Sequence, residues 1–245
     1  MTRLFTTFCL AAIVSLCGAQ TATLEDSLTW GNITSQQVED IMSKAAMGHS
    51  TAQYALGRCY FNGYHVAKDR YKAVEMYGAA ADKEQSEALY YLGFCYKYGF
   101  GVVKSDARAT QLFQKAVKWF EADLEDNNYA PFYLAMCYNY GFGVEVDHAK
   151  SQQLYEKAAI MGNSQALVNL ALDYQHGNNV GKDLAKAVEL FEKAAEVGNP
   201  QAQLSLGYCY LDGEGKPVDR VKAREWFQKA ADQGLPAAEK ALQQM

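Results

Sequence analysis

A leucine followed by a small residue, with a tyrosine three positions further on, recurs five times in this chain: Leu56-Gly57/Tyr60, Leu92-Gly93/Tyr96, Leu134-Ala135/Tyr138, Leu170-Ala171/Tyr174 and Leu206-Gly207/Tyr210. The small residues stand 36, 42, 36 and 36 positions apart. A period of that size constrains the fold more than the length of 245 residues does. A unit so short cannot bury its own apolar face, so like units must stack and share one core.

Each unit reads as a pair of helices. In the first, Ala52, Leu56, Cys59 and Tyr60 fall at i, i+4, i+7 and i+8, a one-faced helical stripe, and Gly63 closes the helix. A short turn through Val66 leads to Asp69 at an N-cap position, and a second helix carries Ala73, Tyr77 and Ala80. Ser105, Asp147, Asp183 and Asp219 take the cap position in later units, and Gly162, Gly198 and Gly234 end the last three second helices. The first two units lack that closing glycine and have Glu84 and Phe120 instead. The 42-residue step places six extra residues, locally acidic, in the stretch from Trp119 to Asn128. Half-units flank the array: a helix from Ser35 carrying Val38, Ile41, Ala45 and Ala46 and closed by Gly48, and a terminal one from Ala237 to Leu242.

Before the array, Arg3, an apolar run from Leu4 to Leu16 and the small pair Gly18-Ala19 have the form of a secretory signal, residues 1–19. The run is too short to span a bilayer, and nothing later is apolar enough. Leu16 stands where a bacterial lipoprotein signal at Cys17 wants a small residue. Residues 20–34 read as a poorly ordered lead-in, with a glycosylation sequon at Asn32 that has meaning only in a eukaryotic host. The net charge of −5 offers no basic stripe for nucleic acid.

The pattern Ala-x-x-x-Leu-Gly-x-x-Tyr-x-x-Gly-x-Gly-Val, then Asp-x-x-Lys-Ala and a Lys-Ala-Ala helix end, resembles the Sel-1-like repeat family of tetratricopeptide-like helical pairs. The fifth unit is close to it, with Tyr210, Gly213, Gly215, Val218, Asp219, Lys222, Ala223, Trp226, Lys229, Ala230, Ala231 and Gly234. The fourth departs, because Gly177-Asn-Asn-Val180 lacks the second glycine and Asp173 replaces cysteine. The resemblance implies an all-α, right-handed α-solenoid over residues 35–245, with five full repeats and a half-repeat at each end. It also implies a protein-binding adaptor, commonly of envelope, secretion or signalling complexes, with no shared catalytic residue.

Cys59, Cys95, Cys137 and Cys209 occupy one repeat position. Equivalent positions in stacked helices sit roughly 8–10 Å apart, beyond the about 7 Å that a disulfide spans, so these thiols are expected free and buried. Cysteine-rich relatives staple each repeat with a second cysteine, which this chain lacks. The Gly-x-Gly turns lie between helices and recur with the repeat, so they are turn residues rather than a phosphate cradle. His49, His65, His148 and His176 have no ligand spacing, so neither metal nor cofactor is expected. Hydrolysis of β-lactam or cell-wall-like substrates, attributed to the cysteine-rich relatives, is the competing function. No serine has lysine three residues on, and Ser164 in Gly162-Asn-Ser164-Gln-Ala166 reads as a helix cap.

A second stripe on the first helices lies two residues from the core stripe, about 200° around the helix. It comprises Tyr54, Arg58 and Phe61, then Tyr90, Phe94, Lys97 and Tyr98, then Phe132, Met136 and Tyr140, with Tyr208 in the fifth repeat. Packing between neighbouring repeats accounts for part of it; the aromatic excess reads as a concave face that binds another protein or peptide. The sequence therefore describes an exported, periplasmic or secreted, non-enzymatic scaffold whose binding residues are these eleven.

Overall fold

A computed structural model describes residues 33–125, 127–178 and 180–245. Among them are twelve helices and no strand. Contacts divide them into two compact units, one reaching Asn127 together with Met136–Val146, the other formed by Asn128–Ala135 and Asp147–Met245.

The first unit contains α1 (Ser35–Ala46), α2 (Ser50–Asn62), α3 (Arg70–Ala81), α4 (Ser86–Tyr98) and α5 (Asp106–Ala122). Helix α6 (Ala130–Tyr140) contributes to both units. The second adds α7 (His148–Ile160), α8 (Ser164–His176), α9 (Leu184–Glu196), α10 (Pro200–Asp212), α11 (Arg220–Asp232) and α12 (Pro236–Gln243).

The expected caps form. Asp69 accepts from the backbone N–H of Tyr71 and Lys72 at 3.0 Å, and Ser105, Asp147, Asp183 and Asp219 accept from the N–H three residues on. Each such cap is worth about 1 kcal/mol. The cap residue's own N–H donates to the carbonyl of the repeat tyrosine, as from Asp69 to Tyr60, Ser105 to Tyr96 and Asp219 to Tyr210 at 2.8–2.9 Å. That bond fixes the nine-residue spacing from tyrosine to cap. One cap differs from expectation: Asn163, rather than Ser164, accepts from Gln165 and Ala166 at 3.1 and 3.0 Å. Ser164 is the first helical residue.

The signal sequence and the lead-in up to residue 32, including the Asn32 of the sequon, lie outside the described residues. Ile33 and Thr34, expected in the lead-in, belong to the fold: Ile33 is buried, and Thr34 forms a capping box with Gln37.

The small residue of each repeat has a steric cause. Tyr77, Phe113, Tyr155, Phe191 and Phe227, one per second helix, are all buried. A Cβ on Gly207 would lie 2.4 Å from the Phe227 ring, and on Gly57 2.6 Å from Tyr77. The second turn glycine docks one repeat on the last: a Cβ on Gly101 would lie 2.2 Å from the Arg70 carbonyl oxygen at the start of α3. In the first repeat, His65 takes this place at φ 51°, its Nδ1 3.0 Å from the Ser35 hydroxyl at the start of α1. His65 therefore joins turn to helix, where the sequence offered it no role.

Glu84 holds the position of the later closing glycines, and its N–H donates to Ala81 as that of Gly162 does to Ala159. It adopts φ 61°, a left-handed conformation disfavoured by roughly 1–2 kcal/mol for a residue with a Cβ. Glu84→Gly should therefore raise stability by about 1 kcal/mol, read as a higher urea midpoint with unchanged slope. A lower midpoint would mean that the glutamate side chain makes a compensating contact. The six-residue insertion in part lengthens α5, which spans 17 residues and buries Phe120 at the position where the last three repeats have their closing glycine.

Candidate functional site

Seven of the eleven residues expected on an exposed binding stripe are buried: Tyr54, Arg58, Phe61, Tyr90, Phe94, Phe132 and Met136. Their expected contact with a partner is corrected by what covers them. Tyr54 packs on Tyr91 of the next repeat at 5.5 Å and Tyr77 at 6.1 Å between ring centroids. The Arg58 guanidinium sits 6.0 Å and 5.8 Å from the Tyr54 and Tyr91 rings, and Phe61 meets Phe100 edge-on at 5.8 Å. Tyr90 contacts Phe113, Phe142 and the Met136 sulfur, and Phe132 contacts Tyr155 at 6.0 Å. A first helix has neighbours on two sides, so an aromatic stripe opposite the first is core rather than surface.

Four of the eleven keep accessible surface: Lys97, Tyr98, Tyr140 and Tyr208. The Lys97 ammonium pairs with Asp106 at 3.1 Å, and together with Lys104 it holds the Asp106 carboxyl below its usual range. Tyr98 lies against Phe94 and Phe100 at 4.6 and 6.0 Å, Tyr140 lies on Phe142 at 5.6 Å, and Tyr208 meets Phe227 edge-on at 5.0 Å. Each ring thus rests on an aromatic neighbour and keeps some accessible surface.

A further set was not singled out for binding. Lys72 lies over Tyr60, Arg108 over Tyr96 and Lys222 over Tyr210, each at 5.4 Å, and all three tyrosines are half-buried. The signal was present in the sequence as a basic residue three past each cap.

All four described cysteines are free and buried, as expected. Burial pushes the Cys59 and Cys209 thiols up to about 11 and raises that of Cys137 further. Thiol titration of the native protein should find these four nearly inert at pH 8, and full reaction should follow denaturation, since the thiolate is the nucleophile. Rapid native reaction would contradict the packing. Ser164 is buried and accepts a hydrogen bond from the Asn199 side chain at 3.1 Å. Glu87 is also buried, in the first turn of α4, where burial raises its pKa while Gln85 and Ser86 donate to it at 2.7 and 2.9 Å. Among the described residues, no group of three or more His, Cys, Asp or Glu is placed to hold a metal ion.

Helical pairs with a conserved register, docked through glycine turns and with aromatic cores, define an all-α repeat protein. Five segments, 50–84, 86–121, 129–163, 164–199 and 200–235, match the Sel1 repeat, and the chain belongs to that family. Its repeats are generally protein–protein interaction modules. The chain is similar to a Sel1 repeat protein from Oxalobacter formigenes, with 29% identity, coverage of 85% of this chain and 80% of that one, and a TM-score of 0.56. It is also similar to a protective antigen of uropathogenic Escherichia coli strains displaying an SLR fold, at 27% identity and a TM-score of 0.50. That match covers 86% of this chain and 51% of the antigen, so the chain spans about half the antigen's length. An immunity protein from Pseudomonas aeruginosa shares the fold at 22% identity and a TM-score of 0.55, over 77% of this chain and 67% of that one. No curated protein matches the chain. No helix among the described residues is long and apolar enough to cross a membrane.

Proposed function

We propose that the chain is an exported scaffold that binds a protein or peptide partner through the half-exposed tyrosines of its first helices. One observation carries this reading: Tyr98 and Tyr140 hold the same position in successive repeats, each backed by an aromatic ring two residues on, Phe100 or Phe142. A ring fixed on one side loses little entropy when its other side is covered, and tyrosine is enriched at interface cores for that reason. Lys97, beside Tyr98, and Tyr208 in the fifth repeat are the other residues of the expected stripe that keep accessible surface. The form of residues 1–19 supports export, to the periplasm or beyond.

The test is affinity capture from the native host, followed by calorimetry on the captured partner. Tyr98→Ala and Tyr208→Ala should each weaken binding by about 2 kcal/mol if the rings are anchors, with the urea midpoint little changed. Unaltered affinity in both variants would remove this surface from the account.

A further inference from the structure

An open groove of roughly 530 Å³ lies between α4 and α5, lined by Leu92 and Tyr96 of the first and by Arg108, Leu112, Lys115 and Lys118 of the second, with two glutamines. We propose that this groove docks an acidic, leucine-bearing segment of the partner protein. The inference rests on the reading of the chain as a protein-binding module and gives the partner a chemistry.

Charge is the first argument. The chain carries a net −5, yet three of the groove's eight lining residues are cationic and none is anionic. Lys115 and Lys118 are exposed and pair with no carboxylate among the described residues. Arg108 is held in place by its hydrogen bond to the Tyr96 hydroxyl at 3.2 Å and by its position over that ring. An oriented guanidinium suits a carboxylate better than a mobile ammonium does.

The second argument is the apolar floor. Leu92, Tyr96 and Leu112 all retain accessible surface. Leu56, the counterpart of Leu92 in the first repeat, is instead buried in a cluster with Ile33, Val38 and Ile41. Arg108, Leu112, Lys115 and Trp119 fall at i, i+4, i+7 and i+11, one face of α5. Trp119 is 44% exposed there, which extends the apolar strip past the groove. Apolar contacts flanked by unopposed cations fit a segment that alternates leucine with glutamate or aspartate.

The probe is a fluorescein-labelled peptide of repeated Glu-Glu-Leu units, with a Lys-Lys-Leu peptide and an oligothymidylate as comparisons, followed by anisotropy on the mature chain. The acidic peptide should bind, the basic one should not, and affinity should fall with added salt. Lys115→Glu with Lys118→Glu should weaken binding about tenfold or more by setting like charges together. Leu112→Asn should weaken it as well. Lys182→Glu, an exposed cation of the fourth repeat, should bind as the unaltered chain does. Unchanged affinity in the double variant, an equal loss with Lys182→Glu, or equal binding of the oligothymidylate would overturn the proposal. The double variant should keep the wild-type urea midpoint, since both side chains are exposed; a lowered midpoint would assign the lysines to the fold and overturn it too. If the unaltered chain captures no host protein, the scaffold reading itself fails. Equal capture by the unaltered chain and the double variant rejects the groove alone.

Discussion

Phe94→Ala should lower the stability of the protein by about 3–5 kcal/mol. Its ring is fully buried, with Tyr98 at 4.6 Å and Phe100 at 5.9 Å. Removing it forfeits the transfer energy of the ring and leaves a cavity that Tyr98, on the same helix, and Phe100, in the turn after it, cannot fill without moving. Leu92→Ala, two residues earlier, should cost less, roughly 1–2 kcal/mol, because Leu92 already faces the open groove. The sequence suggests the opposite order, with Leu92 in the core and Phe94 on the surface. Urea denaturation of the two variants side by side decides it, and a smaller loss for Phe94→Ala would restore the exposed stripe.

Gly101→Ala should lose about 3 kcal/mol, although it adds only one methyl group. Gly101 has φ 70°, which costs any residue with a Cβ. The added carbon would also lie 2.2 Å from the Arg70 carbonyl oxygen and 2.5 Å from its carbon. These are backbone atoms at the start of a capped helix, so no rotamer change relieves the overlap. The repeats must part, or α3 must shift. Gly181→Ala, at a turn glycine of the fourth repeat with open space around it, should be nearly neutral. Equal losses at both glycines would mean that turn flexibility, rather than repeat docking, sets the cost.

These two residues show what the sequence makes legible. The helix pairs and the five caps follow from spacing within one repeat, and the period and the buried thiols from setting equivalent positions of successive repeats side by side. The closing glycines are legible as well, and even Glu84 confirms the rule by adopting their backbone conformation. The role of Gly101 is hidden because its contact is with Arg70, thirty-one positions earlier, on the previous second helix. The aromatic stripe misleads for a related reason. Tyr54, Tyr90 and Phe132 lie about 200° from the core stripe, and periodicity reads the same whether a partner or the next repeat covers that side. The rings that cover it, Tyr91, Phe100 and Phe142 among them, belong to other repeats or to turns. The α4–α5 groove escapes for the converse reason: Leu92 and Tyr96 carry the core pattern, but only the structure distinguishes them from the closed site around Leu56.

Site-specific photo-crosslinking in the native host tests the scaffold account most directly. Benzoylphenylalanine replaces Tyr98 in one strain, Tyr208 in a second and Tyr71 in a third, Tyr71 being a 78%-exposed tyrosine on the second helix α3. The account predicts a discrete protein adduct from Tyr98 and from Tyr208 and none from Tyr71. Adducts from Tyr71 alone, or from none of the three, would contradict it.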